Sequence, residues 1–256
     1  MRILISNDDG ISARGIHVLE QVARYFSDDV WVVAPELDQS GASHALTLRR
    51  PLRIREVSSQ KYAISGTPSD CVMIAINLLM EDKKPDLVLS GINNGGNLAE
   101  DIIYSGTVAA AIEANIMKIP AIAMSLVIEN KKKHQWSMVE HYALEVLKKL
   151  IPLQLKESVI FNVNFPNIST DSVTGIQITT QGNRIVQNEI IKRVDPRDHP
   201  YYWIGSADHR TSDIWQHVTP GTDLEAIAKK AISITPISLN LTNEPAQKIL
   251  EDVFYV

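Results

Sequence analysis

The chain begins Met1-Arg-Ile-Leu-Ile-Ser-Asn-Asp-Asp-Gly10, and the reading of these residues decides the fold. Ile3, Leu4 and Ile5 form a short apolar run, the pattern of a strand buried on both faces. The run breaks at Asn7-Asp8-Asp9-Gly10, four residues that favour a turn. In an open parallel sheet, ligands sit beyond the carboxyl ends of the strands, which is where this turn falls. Two adjacent carboxylates there repel each other, and a divalent cation is the usual way to keep both ionised. The plainer alternative is a polar turn before a helix, with Asp9 or Ser12 as its cap.

Outward from this stretch, strand and helix patterns alternate as far as Pro166. A helix is expected over 14–26, with Ile16, Leu19, Val22, Ala23 and Phe26 on one face. Val30-Trp-Val-Val-Ala34 reads as a second buried strand, ended by Pro35 and followed by a polar loop over 35–46. Leu46–Val57 and Tyr62–Ser65 alternate and carry many charges, which suggests a small antiparallel excursion. Gly66-Thr67-Pro68-Ser69-Asp70 opens a helix with Val72, Ile76 and Leu79 as its apolar face. Asp86–Ser90 is a third buried strand, leading into the glycine- and asparagine-rich loop Gly91–Asn97. Tyr104-Ser105-Gly106-Thr107 starts an alanine-rich helix to Asn115, and Pro120–Ser125 is a fourth strand. A helix over 136–150 and a strand at Val159–Asn164 complete the alternation, which implies an α/β fold with a parallel sheet and right-handed crossovers.

Beyond Pro166 the character changes. Residues 173–192 alternate like exposed strands, and 193–221 is a polar, aromatic-containing stretch with three prolines that reads as a long arm or loop. A late strand at 231–237 and a terminal helix over 244–252 follow. The expected division is a Rossmann-like catalytic core over 1–183 and a C-terminal, β-rich oligomerisation extension over 184–256. An arm that buries so little of its own surface suggests a partner subunit.

The 256 residues are enough for a full core, and no apolar run is long enough to span a membrane. The opening strand does not resemble a secretory leader, and Cys71 is the single cysteine, which excludes an internal disulfide framework or a multi-cysteine zinc site. These features point to the cytoplasm. A net charge of −5 argues against a duplex nucleic acid partner but not against single nucleotides.

Three strands end in polar loops bearing Asp8-Asp9, Ser40 and Asn93, and loops on one sheet edge converge in space. Carboxylate, hydroxyl and amide oxygens are hard donors that select magnesium, manganese or a similar ion over structural zinc. Taken singly, Ser40 could be a turn residue and Asn93 could serve only to tolerate a left-handed backbone. Ser105-Gly106-Thr107 at a helix start offers N–H groups and a positive dipole end to a phosphate, or is an ordinary cap. His44 is read as an exposed loop residue, and His199, His209 and His217 as surface or subunit contacts. Cys71 is read as a small buried hydrophobe and Lys131-Lys132-Lys133 as a solvated loop.

Five ordered motifs, Asn7-Asp8-Asp9-Gly10, Ala34-Pro35 with Gln39-Ser40-Gly41, Gly66-Thr67-Pro68-Ser69-Asp70-Cys71, Ser90-Gly91-Ile92-Asn93 and Tyr104-Ser105-Gly106-Thr107-Val108, closely resemble the SurE family of stationary-phase survival nucleotidases. The resemblance covers residues 1–125 strongly and continues more weakly to the end. Gly95-Gly96-Asn97 stands where the family often has Gly-Pro-Asn, and Lys230-Ala231 where it has Gly-Tyr. The resemblance implies a phosphatase acting on nucleoside 5′- and 3′-monophosphates, and in some members on short polyphosphate. It implies that Asp8, Asp9, Ser40 and Asn93 hold one divalent ion per subunit, expected to be magnesium, manganese or cobalt. Asn97, Ser105, Gly106 and Thr107 are then expected on the substrate phosphate, with Asp8 or Asp9 orienting the attacking water. It further implies homodimers or homotetramers that exchange the C-terminal arm. The alternative from another class is a non-catalytic nucleotide-binding or sensing protein, although sensing a phosphate does not require paired carboxylates. A nicotinamide-dependent oxidoreductase is excluded because no Gly-x-Gly-x-x-Gly follows the first strand.

Overall fold

In the computed structural model, which describes residues 1–128, 133–153, 158–183, 190–204 and 218–254, the opening run forms β1 (Ile3–Ser6), buried along its whole length. Ile3 and Ile5 enter one core layer and Leu4 the other, as the alternation of a strand requires. Helix α1 (Arg14–Ala23), strand β2 (Val30–Pro35) and the hairpin β3 (Ile54–Ser58) and β4 (Lys61–Ile64) follow. Helix α2 (Pro68–Ile74) starts with a capping box between Thr67 and Asp70 and runs into a π-helical turn at Ala75–Leu79. Strand β5 (Leu87–Asn94), the short α3 (Asp101–Tyr104), α4 (Gly106–Ile116), β6 (Ala121–Val127), α5 (Trp136–Leu150) and β7 (Val159–Pro166) complete the alternating part. The remainder supplies β8 (Ile176–Ile178), a separate hairpin of β9 (Ile190–Val194) and β10 (Pro200–Ile204), helix α6 (Asp223–Ala228), strand β11 (Ile232–Ser238) and helix α7 (Glu244–Phe254).

Among the described residues, the main sheet has the order β3-β4-β2-β1-β5-β6-β7-β11-β8. The run from β4 to β7 is parallel throughout, while β3 and β11 are antiparallel to their inner neighbours. From β1 the chain moves outward through β2 and β4, then returns to the other side of β1 with β5. The crevice between the ends of β1 and β5 is thus the topological switch point, the place where such sheets bind ligands.

One core layer packs α1 and α5 on the sheet through Ile16, Leu19, Val139 and Leu147. The opposite layer packs α2, the π-helical turn and α4 through Val72, Ile76, Val108 and Ala111, with Cys71 fully buried among them. The alanines of α4 let that helix lie close on β5 and β6, which brings its first turn up to the switch point.

Several sequence expectations need correcting. The expected antiparallel pair is present as β3–β4, but it is not detached: β4 also joins the main sheet parallel to β2, with Ala63 and Ile64 buried beside Ala34 and Pro35. Within 173–192 the described strands are β8, at the far edge of the main sheet, and the start of β9, while 184–189 lies outside the described residues. The expected late strand is present as β11, which pairs with β7 over Ser233–Ser238 and buries Ile232–Thr235. Helices α3 and α6 are too short to show an apolar period and were not expected. Trp215, His209, His217, Lys131 and Lys132 lie outside the described residues.

The sheet also carries a buried polar row. Asn97 donates from its backbone N to Asn164 Oδ1 (2.9 Å) and from Nδ2 to Ser125 Oγ (2.8 Å). Its carbonyl accepts from Asn162 Nδ2 and Asn164 Nδ2. These bonds to the Asn97 backbone and side chain fix one arrangement of the loop that follows β5. On the other side of that loop, α1 approaches so closely that a Cβ on Gly15 would lie 1.8 Å from the carbonyl oxygen of Ile92. Gly15→Ala should therefore force the helix off the sheet and lower stability by about 1–3 kcal/mol or more. Urea unfolding measures this, and an unchanged midpoint would show that the contact is soft.

Candidate active site

Asp8 follows β1 and is 3 % exposed. A carboxylate this deeply buried needs partners, and the first turn of α4 provides them. Thr107 Oγ1 donates to Asp8 Oδ1 at 2.5 Å, and the Thr107 backbone N–H also supports the carboxylate. Gly106 makes the approach possible, because a Cβ there would lie 2.8 Å from Asp8 Cβ. Ser105 caps the same helix by accepting from the Val108 N–H at 3.0 Å. The turn itself is held by Asn7, whose side chain accepts from Gly10 N and donates to Gly10 O.

Asp9 is partly exposed and faces the β5 loop, where its Oδ2 accepts from the Asn94 N–H at 2.9 Å. The Asp8 carbonyl accepts from Gln39 N at 2.8 Å, which binds the Ser40 loop to the acidic turn. Ser40 is exposed, and both its N and its Oγ donate to Asp38 Oδ1 at 2.7 Å. Asn93 donates Nδ2 to Gly95 O at 2.9 Å, leaving its carbonyl oxygen as an acceptor. Hydrogen bonds thus tie the β1, β2 and β5 loops and the α4 first turn together around Asp8 and Asp9. The other predicted phosphate contacts are placed less directly. Asn97 is buried and bonded to Ser125, Ser105 caps α4, and Thr107 holds Asp8, whereas Gly106 N–H is a first-turn donor without an intrahelical acceptor.

Burial pushes the Asp8 carboxyl above its ordinary range against the pull of Thr107. Asp9 is pushed up to about 7, first by burial and then by the charges of Asp8 and Asp38. Paired carboxylates kept from water in this way favour a compensating cation. Among the described residues, no group of three or more His, Cys, Asp or Glu side chains is placed to hold a metal. The donor set here is a different one, two carboxylates with neutral oxygens from Ser40 and Asn93, and it fits a hard divalent ion.

Sequence reasoning missed three features. Asp38 binds Ser40 and adds negative charge to the site, but a lone acid in a polar loop gives no signal. Thr107 acts on Asp8, a contact across 99 positions of chain that spacing alone does not reveal. His44 is pinned rather than loose: its Nε2 lies 2.7 Å from Glu113 Oε2 on α4.

The family model described as Survival protein SurE matches residues 3–188. The chain belongs to the SurE family. A protein named 5′-nucleotidase SurE from Paramagnetospirillum magneticum is 53 % identical over 254 residues, covering 99 % of this chain and 96 % of its own length. One of the same name from Rhodospirillum rubrum is 47 % identical over 256 residues, covering 99 % of this chain and 96 % of its own. The crystal structure of the SurE protein from Aquifex aeolicus superposes with a TM-score of 0.85 at 37 % identity, covering 99 % of each chain. The SurE architecture therefore extends through the C-terminal strands as well as the core. No helix among the described residues is long and apolar enough to cross a membrane.

The raised carboxyls give a signed pH effect in ion-free protein. Between its ordinary 3.8 and about 7, folded Asp9 keeps a proton that the unfolded chain releases. Its contribution is therefore present at low pH and lost as pH rises through 7. Asp9→Asn should raise the Tm of chelator-treated protein at pH 7.5 by a few degrees, a gain that shrinks towards pH 5. Calorimetry across that range checks it, and a destabilised Asp9→Asn protein would show that the carboxylate is not strained.

Proposed function

We propose that this chain is a 5′-nucleotidase, a phosphohydrolase that removes phosphate from nucleoside 5′-monophosphates, with 3′-monophosphates and short polyphosphate as further substrates. The reading rests above all on the pairing of buried Asp8 with half-buried Asp9 at the switch point beside the α4 N-terminus. Relatives of near-equal length named 5′-nucleotidase SurE support the activity.

Asp8, Asp9, Ser40 and Asn93 would hold one divalent ion, magnesium, manganese or cobalt. Such an ion supplies charge neutralisation for the phosphoryl oxygens and a lowered pKa for a bound water. The residues of the chain set the geometry. Asp8 is fixed by Thr107 and carries the buried charge of the site. Asp9 is the more exposed of the pair, and its Oδ1 has no hydrogen-bond partner among the described residues, so it orients the attacking water. Gly106 N–H, at the positive end of α4, meets a phosphate oxygen. Ser105 and Asn97 act through the backbone they hold.

The chain is further read as a homodimer or homotetramer. Tyr202 and Trp203 of β10 are 59 % and 62 % exposed, and Ile249 and Phe254 of α7 are 64 % and 73 % exposed. Apolar surface of this kind on two elements suits burial against other copies of the chain.

Release of inorganic phosphate from a nucleotide panel, with and without divalent ions, tests the central reading. Chelation should abolish release and manganese, magnesium or cobalt should restore it. Full activity without metal would sink the mechanism. Thr107→Val removes an outer partner of Asp8 and should cost roughly 10–100-fold in activity, while Asp8→Asn should cost more. If both variants turn over normally, the acidic turn plays no part in the chemistry. Deleting residues 195–219 should give a smaller, folded assembly with impaired turnover, read by light scattering and the same assay. An unchanged subunit count would show that the arm serves its own chain.

A further inference from the structure

The loop between β5 and α3 is held from a direction that the site itself does not explain. Asp223, the first residue of α6, is fully buried, and its carboxylate accepts three backbone N–H groups. Oδ2 takes Ala99 N at 2.9 Å, while Oδ1 takes Gly182 N at 2.9 Å and Leu224 N at 2.8 Å. Ala99 has φ +49°, a left-handed conformation that a non-glycine residue keeps only when its surroundings enforce it. A second observation points the same way. Leu224 and Ile227 of α6 pack with Leu98, Ala99 and Val127 in a cluster separate from both main core layers. Helix α6 therefore packs on this loop as well as on the sheet.

The loop is continuous with the proposed metal site. Asn93 and Asn94 end the strand that feeds it, the Asn94 N–H holds Asp9, and Asn97 locks its middle to β6 and β7. Its far end, at Ala99, is held by Asp223 alone among side-chain acceptors in the described residues. We propose that Asp223 is a positioning residue for the metal site: without touching ion or substrate, it sets the backbone that presents Asn93 and fixes Asp9. The inference rests on the nucleotidase reading. It also gives the chain after the arm a part in the chemistry, because residues 218–222 lead from the arm directly into Asp223.

Replacement by asparagine is the informative change. Three N–H donors converge on two oxygens, so either orientation of the amide sets Nδ2 against at least one donor. Manganese binding by Asp223→Asn, followed by electron paramagnetic resonance without substrate, should weaken about tenfold or more, in the range seen for outer-shell losses. Excess manganese should recover most of kcat, with KM for the nucleotide little changed. Leu147→Ala on α5, buried in the distant core layer, serves as a destabilised control and should leave manganese affinity unchanged. If wild-type protein binds manganese and Asp223→Asn binds it equally well, or Leu147→Ala weakens it as much, the inference is overturned and the nucleotidase reading stands. If wild-type protein neither binds manganese nor releases phosphate, both fall. Should Asp223→Asn fail to fold, hydrogen exchange on the wild-type protein decides: the Ala99 amide is expected to exchange only on global opening, and exchange at the rate of an exposed loop overturns the inference.

Discussion

A carboxylate almost wholly removed from water at the end of the central strand is the constraint from which the rest of the arrangement follows. Asp8 cannot remain ionised there without donors, and the donors come from the first turn of α4. That demand sets the placement of α4. Gly106 must lack a side chain so that the backbone can close on Asp8, and the alanines after it must be small so that the helix can lie on β5 and β6. The helix N-terminus that looks like a phosphate site thus first stabilises an anion belonging to the protein. On the proposed nucleotidase reading, a substrate phosphate would meet a helix end already partly neutralised by Asp8.

Much of this was legible in the sequence because parallel-sheet strands announce themselves. Ile3–Ile5, Val30–Ala34 and Asp86–Ser90 are runs that only burial on both faces explains, and their order places Asp8, Ser40 and Asn93 on one edge. Some element ends were also readable, but β5 continues through Gly91 to Asn94, past the expected start of its loop. What stayed hidden was pairing. Nothing in Lys61–Ile64 says that it lies parallel to β2 instead of forming a detached hairpin, because its two neighbours demand similar residues. Likewise Thr107 reads as a helix-opening residue whether it faces a phosphate or Asp8. Asp223 lies in a segment with no long apolar period, so its partners Ala99 and Gly182 could not be inferred from spacing.

Two kinds of polar residue shape the sheet and the site, and they behave differently. Asn97, Asn162 and Asn164 exchange neutral hydrogen bonds and specify one loop conformation without bringing charge together. Thr179, Ser233 and Thr235 do the same between the segment after β8 and β11. Asp8, Asp9 and Asp38 instead bring charge of one sign together, and the backbone donors near them offset only part of the repulsion. The neutral set holds the frame still so that the charged set cannot relax apart. A flexible frame would let Asp9 swing into solvent and recover an ordinary pKa.

That division accounts for where the chain tolerates electrostatic strain. A carboxylate whose proton is hard to remove is a poor surface group, but it becomes a strong ligand once a cation takes the place of the proton. On the proposed metal-site reading, relief of the repulsion between Asp8 and Asp9 would add to the affinity for a divalent ion. Weakening the repulsion would stabilise the ion-free fold and weaken ion binding together. The two carboxylates therefore have to be held rigidly and close, which is the work of Thr107 on one side and the anchored β5 loop on the other.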